Sequence, residues 1–312
     1  MANLTLLDLA ARTGSDPVIG LIEDVVQQAP ELETFPMVPK RGTSYKVTRR
    51  TGLPSSSFRD VNEGSIPSKS TFVQETKSMH FLDTQLEVDE ALVKGDDREI
   101  GDVLADEASG AVAAGMLHLG SQIFYGVDAD TKGFVGLQSL IAGDGNYEID
   151  AGGVNGASSS AYLVEIGNKA VSMAVGLDGG LELKPWTLQQ IIKSGTGAAA
   201  KKLMAYVSNF SGYFGLTVPS AHNVYRVYGI DSTKPFTDAL ASQLFAKVPL
   251  GHRTNLRWYM NRATAYLLQS SRSSVANQPA NNGGSPAFAP YPESCLGIPI
   301  TVTDSLVQTE AA

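Results

Sequence analysis

The sequence predicts an α+β fold, and three patterns in it carry that prediction. A long helical pattern covers residues 98–125, strand patterns with alternating apolar residues lie on both sides of it, and a compact mixture of helices and strands covers 231–312. The 312 residues are 43% hydrophobic and 18% charged, which is the composition of a folded chain. The charged fraction is below the usual quarter, which suggests that other copies of the chain cover part of its surface.

Bulk composition also excludes several classes of function. The formal net charge of −8 argues against tight direct binding of DNA, because proteins that grip nucleic acid over a large footprint are usually basic. The single cysteine, Cys295, allows no internal disulfide and no thiolate metal cluster, and it fits a reducing cytosol. The first residues do not have the pattern of a signal peptide. No apolar run approaches the roughly 18 residues of a membrane span, so we expect no membrane association.

Residues 1–41 are predicted to form an N-terminal arm. A short helix is expected to end at Gly14, and a second to be capped by Asp16 with Pro17 at its first position. Prolines between positions 30 and 39 then favour an extended path. The apolar side of these short pieces has no local partner, so the arm is expected to lie on the body of this chain or of a neighbour.

Residues 42–80 are predicted to form an extended hairpin loop. The segments "TSYKVTRR" and "STFVQETKSMHFL" have strand patterns, and "TGLPSSSFRDVNEGSIPSK" between them is rich in Gly, Pro and Ser. So long a connection is uncommon without a function. Two interpretations remain open: a mobile surface loop, or a limb that becomes ordered on a neighbouring molecule.

Charge patterning favours the limb. Six basic residues occur between Lys40 and Arg59, and nine acidic residues occur between Glu87 and Glu107. Such blocks can attract each other between copies, although charge runs are also often plain solvated faces. The hypothesis of intersubunit contact pairs Lys46, Arg49, Arg50, Phe58 and Arg59 of one copy with Asp96, Asp97, Asp102, Asp106 and Glu107 of another.

The longest helical pattern, about 98–125, would span about 42 Å at the rise of an α-helix. Asp96 or Asp97 is expected to cap its start and Gly126 to end it. Strand signals follow as far as "AHNVYRVYGI", with "WTLQQIIKSG" readable as a strand or a short helix. We expect an antiparallel sheet packed on this helix.

Residues 231–312 are predicted to form a compact α/β unit. Helices are expected at "PFTDALASQLFAKVP" and at "NRATAYLLQSSR", the second capped by Asn261, with the strand "NLRWYM" between them. A flexible loop and a final strand, "LGIPITV", follow.

No catalytic, cofactor or metal site is predicted. Four scattered histidines lack partners at the spacing of metal ligands: His80, His118, His222 and His252. The segment 194–202, "SGTGAAAKK", resembles a phosphate loop only loosely, because Ala200 stands where the second Gly is required and Lys202 where Ser or Thr is required.

Several segments, taken in order, resemble the major capsid proteins of tailed double-stranded DNA phages, in the podophage-type branch of the Hong Kong 97 fold. They are "YKVTRRTGLPSSSFRDVNEG", "SQIFYGVDADTKGFVGL", "YFGLTVPSAHNVYRVYGI", "RWYMNRATAYLL" and "GIPITVTDSLVQTE". The resemblance covers nearly the whole chain. It implies an N-arm at 1–41, an extended loop at 42–80, a peripheral domain at 81–230 with its spine helix, and an axial domain at 231–312. The last strand would close a sheet of the axial domain, or else complete the peripheral sheet.

The implied function is that of a shell protein. Hexamers and pentamers of one chain would form an icosahedral head around double-stranded DNA, in the virion after assembly in the host cytoplasm, with a portal protein and possible scaffolding and cement proteins as partners. Nothing in the sequence marks a cross-linking Lys–Asn pair. The alternatives are an encapsulin-like compartment, a nucleotide-binding enzyme that uses the 194–202 loop, and a monomeric binding module.

Overall fold

The computed structural model describes residues 29–96, 98–176, 181–194, 201–276 and 289–310. Most of the predicted arm lies outside these residues, as does Asp97. The helices are α1 (Glu31–Thr34), α2 (Glu90–Lys94), α3 (Ile100–Tyr125), α4 (Leu137–Ile141), α5 (Asp238–Ala246) and α6 (Arg262–Ala276). None of these described helices has the length and apolar character needed to cross a bilayer.

The strands of the described residues form two six-stranded sheets and one two-stranded hairpin. They are β1 (Met37–Lys40), β2 (Ser44–Gly52), β3 (Thr71–Ser78), β4 (His80–Asp89), β5 (Glu148–Asp150), β6 (Ser159–Glu165), β7 (Ser172–Gly176), β8 (Glu182–Leu183), β9 (Thr187–Ser194), β10 (Lys201–Thr217), β11 (Val224–Ile230), β12 (Leu256–Met260), β13 (Ser294–Cys295) and β14 (Ile298–Val302).

The first sheet has the order β1-β7-β10-β4, with β8 and β9 also paired to β10. Its long strand β10 runs antiparallel to β4, and α3 packs on one face. A glycine makes this packing close, because a Cβ at Gly115 would lie 2.5 Å from the ring of Phe210. A sheet packed on the long helix is present as predicted, and "WTLQQIIKSG" contributes its strand β9. Two of the strands predicted for it, β6 and β11, lie instead in the second sheet.

The second sheet has the order β13-β14-β12-β6-β11-β5 and is covered on both faces. Successive side chains of a strand point to opposite faces. Accordingly, Tyr162 and Val164 of β6 join the apolar cluster beneath α3, whereas Ala161 and Leu163 join a cluster with α5 and α6. Every residue of β6 is buried as a result. This sheet is the common wall of two cores.

The predicted domain boundary after residue 230 separates strands that share this second sheet. Strands β5, β6 and β11 come from the predicted peripheral range 81–230, and β12 to β14 from the predicted axial range 231–312. Strand β1, from the predicted arm 1–41, pairs in parallel with β7 at the edge of the first sheet. Sequence patterns locate strands but do not reveal which strands pair. The strands that share a sheet are therefore not the strands that were assigned to one predicted domain.

The last strand pairs in parallel with β12, through Trp258 and Ile300 among others. The chain then continues as a segment that we call the C-terminal strap, residues 303–310, which crosses the body of the molecule. Its Val307 amide donates to the Tyr125 hydroxyl at 2.9 Å, and its Glu310 amide donates to the Ser158 carbonyl at 3.0 Å. The strap therefore connects the second sheet to the end of α3.

A buried ionic network holds the far end of the strap. The Arg226 guanidinium on β11 lies 2.9 Å from a carboxylate oxygen of Glu310 and 3.3 Å from one of Glu148. It also donates to the Ser160 hydroxyl at 2.8 Å, and the Tyr125 hydroxyl donates to Glu310 at 2.5 Å. Buried charges are tolerated when they are paired and hydrogen-bonded in this way.

Within the described residues, helix ends follow the sequence in two of three predicted cases, and the predicted ends at Gly14 and Asp16 lie outside these residues. Gly126 ends α3 with a φ of +62°, and Asn261 caps α6 by accepting from the Thr264 amide at 2.8 Å. The start of α3 differs, because Glu99 occupies the cap position, and Asp96 accepts instead from the Arg98 amide.

Candidate subunit-contact surfaces

The extended hairpin forms a sheet of its own within the described part of the chain. Strands β2 and β3 pair only with each other, from Ser44 opposite Ser78 to Gly52 opposite Thr71. Residues 53–70 connect them without regular secondary structure. A lone two-stranded hairpin is at best marginally stable in water, so this limb needs support from elsewhere.

The base of the hairpin receives such support from the first sheet. Tyr45 is buried against Met79 and Ala174, and its hydroxyl donates to the Leu216 carbonyl at 2.8 Å. Gly215 leaves the space for this ring, because a Cβ there would lie 2.9 Å from it. Burial raises the pKa of the Tyr45 hydroxyl, which keeps it a hydrogen-bond donor. The base is thus fixed on β10 while the rest projects.

The tip carries large apolar side chains that nothing in the described chain covers. Their exposed fractions are 78% for Leu53, 107% for Phe58, 91% for Val61 and 89% for Ile66. Polar contacts shape the loop itself, since Arg59 donates to the Glu63 carbonyl at 2.6 Å. Isolated exposed apolar residues are normal on proteins, but a concentration of them marks a site of association.

The four basic residues of the predicted contact lie on this hairpin and are exposed: Lys46, Arg49, Arg50 and Arg59. Arg49 pairs with Glu75 across the two strands at 3.3 Å, and the Arg50 guanidinium lies over the Phe72 ring at 5.3 Å. Such exposed pairs contribute little to stability, so these side chains are able to exchange partners. They form one edge of a basic limb.

The predicted acidic residues lie around the start of α3, except Asp97, which is outside the described residues. Asp96 and Asp106 both pair with Arg98 of the same chain, at 3.1 and 2.8 Å. Asp102 is exposed and Glu107 is partly buried. The structure therefore assigns two of the predicted acidic contacts an internal partner, a possibility that spacing along the sequence did not indicate.

The apolar tip residues other than Phe58 were missed as contact candidates. The available signal was a large apolar residue at intervals of a few positions within a stretch of Gly, Pro and Ser, where Leu53, Val61 and Ile66 stand. A solvated loop has no reason to keep such side chains, so this pattern indicates a binding segment.

The structure shows which groups lie next to two of the four histidines and where the 194–202 segment stands in the fold. His252 lies 2.8 Å from Glu165, and His118 lies 3.5 Å from Asp130. Among the described residues, no group of three or more His, Cys, Asp or Glu is arranged to hold a metal ion. Segment 194–202, of which 195–200 lie outside the described residues, joins strand β9 to strand β10, whereas a P-loop leads into a helix.

Comparison with known proteins gives one family and several structures. The family model "Major capsid protein GP7" matches residues 15–312. A search of curated proteins found no match. A chain from the cryo-EM structure of bacteriophage Epsilon15 aligns with a TM-score of 0.70 at 20% identity and covers 100% of this chain and 98% of that one.

Two further structures align less closely. The capsid of bacteriophage JBD30 aligns with a TM-score of 0.51 at 12% identity, over 97% of this chain and 99% of that one. An encapsulin from Synechococcus elongatus aligns with a TM-score of 0.46 at 11% identity, over 73% of this chain and 97% of that one. The two phage structures confirm the predicted α+β fold of the Hong Kong 97 type.

Proposed function

Because this chain belongs to the family of GP7 major capsid proteins, we propose that it builds an icosahedral phage head from hexamers and pentamers of itself. It is a structural protein of the virion capsid, and the shell encloses double-stranded DNA without sequence-specific binding. A net charge of −8 suits this role, because a lining that neutralised many phosphates would hold the DNA tightly. A portal protein, and scaffolding or cement proteins, are the proposed partners of assembly in the host cytoplasm.

The uncovered hairpin tip is the observation that carries this proposal. Phe58 is fully exposed, and Leu53, Val61 and Ile66 are nearly so. A second copy that covers these side chains removes their apolar surface from water, at about 25 cal/mol per Å². Each copy in a closed shell both gives and receives such contacts. Because the same contact is repeated throughout the shell, many modest contacts together stabilise the particle.

The charged residues of the hairpin add an electrostatic attraction that orients the two copies at the same contact. We propose that Lys46, Arg49, Arg50 and Arg59 meet exposed acidic residues at the start of a neighbour's α3, with Asp102 as the most accessible. Opposite charges of this kind mainly steer encounter and set register. In the same proposal, the peripheral domain is built on the first sheet with α3, and the axial domain on the second sheet.

Electron microscopy of the expressed chain tests the proposal. We expect closed particles for the unmodified chain, and few or none for Phe58→Asp, whose isolated subunits keep their melting temperature. Removing an aromatic anchor of an interface costs about 2 kcal/mol or more, whereas an exposed substitution changes subunit stability by about 0.5 kcal/mol or less.

Tyr266→Asp is the matched control, because Tyr266 is an exposed aromatic residue on α6, outside the hairpin. It should leave particle yield unchanged. Normal particles from Phe58→Asp would rule out the hairpin tip as an essential contact, and a chain that stays monomeric at high concentration would rule out the shell.

A further inference from the structure

The first described helix and the residue after it are held inside the molecule by an aromatic contact, hydroxyl contacts and one buried acidic residue. Helix α1 and Phe35, residues 31–35, form what we call the N-terminal anchor. The Phe35 ring stacks on the Tyr259 ring with centroids 5.3 Å apart, and the Thr34 and Tyr259 hydroxyls are 2.5 Å apart. Glu31, at the start of the anchor, is 0% exposed, which is rare for a glutamate without a charged partner.

Hydroxyl groups of the C-terminal strap surround the Glu31 carboxyl. The Ser305 hydroxyl donates to its Oε1 atom, and Thr303 also hydrogen-bonds to the carboxyl. The second oxygen, Oε2, is buried and has no hydrogen-bond partner among the described residues. An ionised carboxylate in such a place would lose the solvation of one oxygen outright, so burial favours the neutral acid.

Helix α3 closes the site from the other side at Gly120. A Cβ at this position would lie 2.2 Å from Oε1 of Glu31 and 2.3 Å from the Ser305 hydroxyl oxygen. The helix backbone therefore lies directly against the carboxyl.

We infer that Glu31 is a proton-controlled latch, in which the neutral carboxyl holds the N-terminal anchor between α3 and the C-terminal strap and the ionised carboxyl favours its release. Two titratable groups face it: the Asp304 carboxyl on the strap, which pairs with Arg262 at 2.7 Å, and the Tyr259 hydroxyl on β12. On helix α3 the residue against the carboxyl is Gly120, and Glu33 on α1 itself is exposed. The latch joins the two parts of the described chain that are furthest apart in sequence.

The direction of the pH effect follows from proton binding. Burial raises the pKa of Glu31 above its ordinary value of 4.5, the hydroxyls of Ser305 and Thr303 oppose this rise, and the Asp304 carboxyl adds to it. The released anchor titrates near the ordinary value. The docked state therefore binds more protons between the two pKa values, so docking is strongest below pH 4.5, weakens as the pH rises to the raised pKa, and is constant above it.

Hydrogen exchange of the backbone amides of residues 31–36 measures the latch in unassembled subunits. The protection factor of the unmodified chain should fall as the pH rises above 4.5 and then become constant, and the total fall should be tenfold for each unit by which the pKa of Glu31 is raised. Glu31→Gln keeps the shape without the charge and should give a constant protection factor. Glu33→Gln, the same substitution at an exposed position of the same helix, should follow the unmodified chain.

Two results would overturn the inference: a constant protection factor in the unmodified chain, or an undiminished slope in Glu31→Gln. If Glu31→Gln fails to fold, Ser305→Ala supplies the test. Loss of a hydroxyl that favours the ion should move the fall in protection to higher pH, and an unmoved transition would contradict the latch. Neither outcome bears on whether the chain forms shells, since all measurements use isolated subunits.

Discussion

Two buried glutamates show how neighbours determine what the same side chain does. Glu310 has the Arg226 guanidinium at 2.9 Å, and the pair is built as an ionic contact. Glu31 has hydroxyl groups and the nearby Asp304 instead, and burial raises its pKa. The first residue holds the strap by an ion pair, and the second is the proposed pH-dependent latch of the N-terminal anchor.

Cys295 is another residue whose chemistry its surroundings decide. The thiol is fully buried and donates to the Asp238 carboxylate at 3.3 Å. Burial, with this hydrogen bond, raises the pKa of the thiol to about 12. A thiol in that state is a poor nucleophile, so the only cysteine of the chain is a packing residue.

Glycine substitutions on α3 separate close packing from helix propensity. Gly120→Ala should lower the melting temperature and the protection of residues 31–36, because the new methyl group would overlap Glu31 and Ser305; such overpacking costs about 1–3 kcal/mol. Gly110→Ala is the matched control, since nothing lies within 4 Å of its Cβ position. It should stabilise the helix by about 0.5–1 kcal/mol. Thermal unfolding of both variants checks this, and a stable Gly120→Ala would show that α3 can move away.

At the scale of elements, the hairpin depends on its base. The two strands share no sheet with the body, and Tyr45 provides the buried contact to β10. Removing this anchor should therefore free the whole hairpin rather than change it locally.

Tyr45→Ala tests that dependence. Loss of a buried aromatic ring costs about 3–5 kcal/mol, and hydrogen exchange should accelerate throughout β2 and β3. Phe72→Ala, at an exposed aromatic residue of the same hairpin, should change stability by about 0.5 kcal/mol or less. Exchange that accelerates only next to residue 45 would show that the hairpin is rigid without its base.

Helix α3 has a comparable role for the two sheets. It buries Leu104 against Val88 near its start and Leu119 and Ile123 beneath the second sheet near its end. One element of 26 residues thus contributes to the core beneath it and to a smaller apolar cluster at Val88. The predicted spine helix has this position because its apolar residues recur at three- and four-residue steps along its length.

At the scale of the whole molecule, opposite charges occupy separate regions of one chain. The basic hairpin and the acidic start of α3 give each copy a cationic and an anionic surface, which suits association in one direction around a ring.

A charge-swap experiment tests this arrangement. Replacing Arg49, Arg50 and Arg59 by Glu should reduce particle yield, and adding Asp102→Arg should restore part of it, because the attraction is re-established with the signs exchanged. Lys169→Glu, at an exposed lysine in the turn before β7, should have no effect. Particle counts by electron microscopy at several salt concentrations provide the measurement; an unchanged yield from the triple variant would exclude the contact.

Local sequence patterns were enough to predict most of the secondary-structure elements. Apolar periodicity located α3 and most strands, and Gly126 and Asn261 marked helix ends, because these signals depend on residues a few positions apart. Sequence resemblance also indicated the Hong Kong 97 fold, which the phage structures confirm.

Which of these elements pack together could be read only from the folded chain. The sharing of the second sheet by β6, β11 and β12 joins residues about a hundred positions apart, and nothing local marks those pairs. The same holds for Arg226 with Glu310 and for Glu31 with Ser305. Whether a charged residue is buried depends on everything that packs around it, so no short stretch of sequence reveals it.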